Sequence, residues 1–163
     1  MAVAAGWAVI ALLACVAMVV DNSLDSGPHA PLWLFVLTLA TSVPALVGAA
    51  FGVADAPAET SADLLGRVGP RVRAGVLLAT LIGVGVLIAG MAHNPPGNSA
   101  RRPDGSYVLK FRQPPSKVVG YDRWRANSRG ERRVFLGVAI LVDAWGGAAC
   151  WAVKLRDDEE DPL

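Results

Sequence analysis

Residues 131–154 read ERRVFLGVAILVDAWGGAACWAVK. From Val134 to Val153 the stretch is apolar except for one carboxylate, and roughly 20 such residues suffice to cross a bilayer core of about 30 Å as a helix. Arg132 and Arg133 bound one end of it, and Lys154 and Arg156 the other. The single interruption, Asp143, falls near the middle. An ionisable group there costs on the order of 2.5 kcal/mol or more and is turned toward other helices or a watery cavity.

Three more stretches of this kind predict an all-α membrane protein with four transmembrane helices, over about 2–20, 32–53, 74–92 and 134–153. The chain then forms a single polytopic domain of 163 residues. Hydrophobic residues make up 53% of it, too many and too segmented for an ordinary soluble domain. The abundance of Ala, Val, Gly and Arg matches a high-GC bacterial gene. Residues 2–20 carry no charge, and no Lys or Arg precedes the apolar run as a cleaved secretory signal requires, so the segment is expected to remain.

The second span has a polar middle. Thr38, Thr41 and Ser42 precede Pro44, whose ring removes a backbone hydrogen bond and frees the carbonyl of Ala40. Running the spans antiparallel brings Thr41 and Ser42 to the depth of Asp143. These three residues are the candidate intramembrane polar site. The simpler role is structural, with Asp143 tying the fourth helix to the second. The sharper one is binding of an ion or proton, although no second buried acid or base continues a relay.

In the third span Gly75, Ala79 and Gly83 recur every four residues and share one face, as do Gly85 and Ala89. Small residues at this spacing let helices approach closely. The face packs within the protein or docks a second subunit.

Residues 93–133 form the long loop. It holds 10 of the 15 Lys and Arg residues, from Arg101 to Arg133, and a formal charge of about +7. Tyr107, Leu109 and Phe111 alternate with Val108, Lys110 and Arg112, and Lys117 to Tyr121 returns, which predicts a β-hairpin. Asp122 is the expected N-cap of a helix that continues into the fourth span. Arg101, Arg102, Arg123, Arg125, Arg132 and Arg133 are candidate contacts for anionic phospholipid headgroups. Aromatics interleave with these arginines, but a charge run beside a membrane serves headgroups first, so nucleic acid is disfavoured as a partner. The residues after the fourth span, 154–163, are an acidic tail expected to be solvated and disordered.

Counting Lys and Arg on each side favours the long loop in the cytoplasm of a plasma-membrane protein. The two short connections argue the opposite way. Cys15 and Cys150 lie at depths too different for a disulfide and are expected to be free thiols. No metal-ligand spacing, phosphate loop or nucleophile motif occurs, so neither a cofactor nor an enzymatic activity is expected. The expected role is an accessory or interaction subunit of a larger membrane complex. The alternative is a small transporter or channel component using Asp143.

Overall fold

The structure, a computed structural model, describes residues 2–23, 32–44, 46–47, 50, 66, 68–92, 97–110 and 116–160. Its elements in order are α1 (Ala2–Ser23), α2 (Leu32–Ala40), α3 (Pro70–Ala92), β1 (Asn98–Arg101), β2 (Tyr107–Lys110), β3 (Lys117–Val118) and α4 (Tyr121–Glu160). Three of the helices are long and apolar enough to cross a membrane, within Ala5–Ser23, Pro70–Ala92 and Tyr121–Leu155.

The expected second span, 32–53, is not shown as one. Its helix α2 has nine residues, about 14 Å at 1.5 Å per residue, and ends in a tight turn at Thr41–Ser42. Pro44 explains the break: it has no N–H for the Ala40 carbonyl, and its ring crowds that carbonyl. The chain tightens just before it. The Thr41 N–H reaches the carbonyls of Leu37 and Thr38, at 3.1 and 3.2 Å, and the Ser42 N–H bonds to that of Leu39 at 3.1 Å. Residues 43–44, 46–47 and 50 are helical again, and the rest of this expected span lies outside the described residues. So does most of the 54–72 connector.

α4 organises the bundle. It packs against α1, α2 and α3. α1 runs antiparallel to it, with Asn22 donating to the Arg129 carbonyl at 3.0 Å and a Cβ on Gly147 meeting that of Ala8 at 2.8 Å. α3 is antiparallel as well: the Trp145 indole N–H donates to Thr80 Oγ1 at 3.0 Å, and Gly90 abuts Val134. α2 runs with α4, joined to it by the edge-to-face pair Phe35–Phe135 at 6.5 Å. The residues between these helices are mostly small, including Ala5, Ala8, Ala11, Cys15, Ala79, Ala139, Ala144 and Ala148. Large side chains point outward instead, such as Ile10, Leu13, Leu77, Leu81, Ile88 and Phe135. Small inside and large outside suits helices surrounded by lipid, where close backbone approach replaces the hydrophobic drive.

With 40 residues, α4 is about 60 Å long, twice the thickness of a hydrocarbon core. Its polar first third therefore projects beyond any span and carries the sheet. The helix also runs through Asp157 to Glu160, where a disordered acidic tail was expected. Propagating an existing helix costs little per added residue. At the other end Asp122 lies in the first turn rather than at the cap, since Trp124 N–H already bonds to the Gly120 carbonyl at 3.1 Å. α3 likewise starts earlier than expected, because Pro70 suits a first helical turn. Arg73 holds that entry, its guanidinium bonded to the carbonyls of Val68 and Gly66.

The expected hairpin is a three-stranded antiparallel sheet in the order β1-β2-β3. The added strand β1 is NSAR, too polar to show an alternating pattern. Asn98 pairs with Lys110, Arg101 with Tyr107, and Val108 with Val118. Gly105, at φ +86°, closes the β1–β2 turn with a conformation that suits glycine. Asp104 accepts from the Ser106 hydroxyl at 2.7 Å and its N–H at 2.8 Å, and these bonds hold its carboxyl below the usual carboxylate range. The expected alternation of β2 fails at its centre: Val108 and Leu109 are each 1% exposed, so both faces of this middle strand are covered.

Candidate functional site

The buried face of α4 repeats at helical spacing through Leu136, Ile140, Asp143, Ala144 and Ala148, and that spacing carries Asp143 into the bundle. Only 2% of it is exposed. Two neighbours reach its Oδ2. The Ser42 hydroxyl donates to it at 3.0 Å, delivered by the turn that Pro44 forces on α2. The Cys15 thiol donates at 3.7 Å from the α1 stripe of Ala8, Ala11, Cys15, Met18 and Asn22. Its other oxygen, Oδ1, is buried without a hydrogen-bond partner.

Of the expected trio the structure brings Ser42 to Asp143 and leaves Thr41 aside. The Thr41 hydroxyl donates to the Thr38 carbonyl instead, and Thr38 donates to that of Leu34 at 2.9 Å. Cys15 was missed. Counting its depth against Asp143 rather than against Cys150 is the signal that finds it.

Asp143 also lines a cleft of about 450 Å³ between α1 and α3, floored by α4. Its walls include Ala5, Leu12, Gly75, Val76, Gly147 and Trp151, and Asp143 is the only ionisable residue among the described residues lining it. The group thus has one oxygen engaged by protein donors and one buried without a donor, in a residue that borders the cleft. Among the described residues no Lys, Arg or His is buried beside it.

The glycine face divides. Ala79 and Gly83 meet α4, where a Cβ on Gly83 would lie 3.0 Å from Leu141 and 3.1 Å from the Gly137 carbonyl. Gly75 is exposed, with nothing within 4 Å of an added Cβ, and so is Gly85. Gly90 is a further close contact, a Cβ there falling 2.8 Å from the Val134 nitrogen. The small residues therefore serve packing within this chain at Ala79 and Gly83, because α4 brings its own glycine, Gly137, to the same level.

The basic candidates also separate. Arg101, Arg102 and Arg123 are exposed on the sheet and at the start of α4. Arg101 lies over the Tyr107 ring at 5.6 Å, and Arg102 donates to Ser116 Oγ at 3.2 Å. Arg125, Arg132 and Arg133 are half-buried, Arg132 lying 5.8 Å over the Phe35 ring and Arg133 packing its Cβ beside Gly90.

A second polar cluster, unforeseen in sequence, fixes the sheet to α4. Fully buried Asn127 donates through Nδ2 toward Glu131 Oε1 at 2.9 Å, Ser99 Oγ at 2.8 Å and the Gly97 carbonyl at 2.9 Å. Glu131 Oε1 also accepts the Ser99 N–H at 2.6 Å. Beside it Tyr107 packs on Tyr121 at 5.2 Å and on Trp124 at 5.0 Å, so three aromatics of the loop are spent on one another. The i, i+4 pairing of Asn127 with Glu131 is the one sequence signal for this cluster.

Comparison with protein-family models, curated proteins and solved structures finds no match to the chain. The reading therefore rests on its own geometry.

Both cysteines are free thiols and fully buried. They are expected to resist N-ethylmaleimide in mild detergent and to take up two equivalents only after denaturation, as read by intact mass. Rapid labelling of the folded chain, or a mass showing an internal disulfide, would contradict this placement.

Proposed function

We propose that the chain is a small, non-enzymatic, multi-pass protein of a bacterial plasma membrane and an accessory or interaction subunit of a larger membrane complex. Its working surface is the extramembrane unit of β1, β2, β3 and the first third of α4. The observation that carries the reading is that this unit is a built platform: the Asn127 and aromatic clusters fix the sheet to a helix continuous with a span, while Arg101, Arg102, Lys110, Lys117 and Arg123 stay exposed. Such a basic array suits anionic headgroups, at about 1 kcal/mol per charge near the surface, and acidic faces of neighbouring subunits. The larger count of Lys and Arg on this side supports a cytoplasmic placement, against the pattern of the two short connections.

The test is purification of the tagged chain from its native membrane in mild detergent, beside a variant carrying Arg101→Glu, Arg102→Glu and Arg123→Glu. A defined set of membrane proteins and anionic phospholipid is expected with the wild type and lost from the variant at equal helicity. A solitary chain in both preparations would remove the accessory-subunit reading. The alternative, a transporter or channel component, draws on buried Asp143. It predicts that Asp143→Asn abolishes ion flux in proteoliposomes.

A further inference from the structure

From the cleft between α1 and α3 we infer that the protein has a binding site for an amphipathic amine, with an ammonium head on Asp143 and an apolar chain along the helices. This goes beyond the accessory-subunit reading, which concerns the extramembrane unit. Two independent observations meet here. The first is the cleft itself, whose volume of about 450 Å³ falls in the range of small-molecule sites, roughly 300–1,000 Å³. Its walls come from the apolar faces of three helices, with the small residues Ala5, Gly75 and Gly147 leaving the room.

The second observation is the carboxyl group on its floor. Asp143 is almost fully buried, both of its protein donors crowd onto Oδ2, and Oδ1 has none. A buried acceptor without a donor is costly, and among the described residues no Lys, Arg or His lines the cleft to supply one. A ligand that brings an N–H donor bearing positive charge answers both demands, since charge-assisted hydrogen bonds are the strong ones and a low-dielectric setting amplifies the attraction. An anionic amphiphile meets repulsion at the same place. A neutral one gains the apolar walls but leaves the charge uncompensated.

The full chain in nanodiscs of zwitterionic phosphatidylcholine is titrated with octylammonium, octanol and octanoate, with empty nanodiscs as the partition baseline. Saturable uptake of one octylammonium per chain is expected, roughly tenfold tighter than octanol, the ratio that 1.4 kcal/mol confers, with no saturable octanoate. Asp143→Asn is expected to bring octylammonium down to the level of octanol. Gly75→Leu, which meets no atom within 4 Å at its Cβ, keeps the Asp143 cluster and is expected to weaken both ligands by filling the cleft. It serves if the Asp143 variant does not fold. Equal binding of octylammonium and octanol would assign the cleft to lipid tails and overturn the proposal. So would wild-type chains that show no saturable uptake, or unchanged octylammonium binding in Gly75→Leu.

Discussion

Gly137→Leu is expected to push α3 away from α4 and to destabilise the bundle by about 3 kcal/mol, the upper part of the range for overpacked cores. A Cβ on Gly137 would stand 2.8 Å from the Gly83 carbonyl, 2.9 Å from the Leu87 nitrogen and 3.1 Å from its Cα. All three are backbone atoms, so no side-chain rotation relieves the clash. Gly83 sits opposite, within 3.1 Å of the Gly137 carbonyl when given a Cβ of its own. Two glycines on facing helices thus allow a backbone approach that one alone does not, and without a hydrophobic drive in lipid the approach is what holds the helices together. Thermal unfolding in a mild detergent, followed by helicity and by size exclusion, is the measurement. Gly137→Leu should lower the midpoint and the yield of dispersed protein, whereas Gly85→Leu, on an open face of α3, should match the wild type. Equal midpoints for the two variants would mean that α3 and α4 do not depend on this contact.

The same pair of helices shows where sequence reading reaches and where it stops. Uncharged runs between charged flanks locate α1, α3 and the second half of α4, because the length of an apolar run is a property of the chain alone. Counting residues from span ends then sets Ser42 beside Asp143. Depth is legible in that way, but rotation is not: Thr41 is adjacent to Ser42 yet faces its own helix, because the turn before Pro44 decides which hydroxyl points inward. The proline that drew attention to the second span also interrupts its helix after Ala40, a break that composition alone does not place. Gly75 illustrates a further limit. Its spacing with Ala79 and Gly83 is regular, but no atom lies within 4 Å of a Cβ placed there, and it borders the cleft instead. Strand β1 is illegible for another reason, since its residues are held by Asn127 and Glu131 more than 25 positions later and bury no apolar stripe of their own.

Asn127→Ala is expected to release the sheet from α4 while sparing the bundle. Isolated small sheets are marginal, and β1 and β2 have only four residues each, so their order depends on what they are attached to. Asn127 is the attachment. Removing its amide leaves the Gly97 carbonyl without this donor and the Ser99 hydroxyl with only a long bond to the Trp124 carbonyl, at 3.5 Å. At about 1–3 kcal/mol per buried group left unsatisfied, a local cost near 3 kcal/mol follows. Amide exchange in β1 and β2 should then quicken about 100-fold, because each 1.4 kcal/mol of opening free energy is a factor of ten. Exchange in the middle of α3 and at the Gly137 level of α4 should not change, since those contacts lie at the far side of the projecting third. Uniformly faster exchange would instead make the sheet and the bundle one cooperative unit. Unchanged exchange in the strands would shift the anchoring role to the Tyr107, Tyr121 and Trp124 cluster. In the expected case the variant also separates the two proposals: a loosened platform should lose its membrane partners in the pull-down, while octylammonium binding at Asp143, near the middle of α4 and beyond the sheet, should persist.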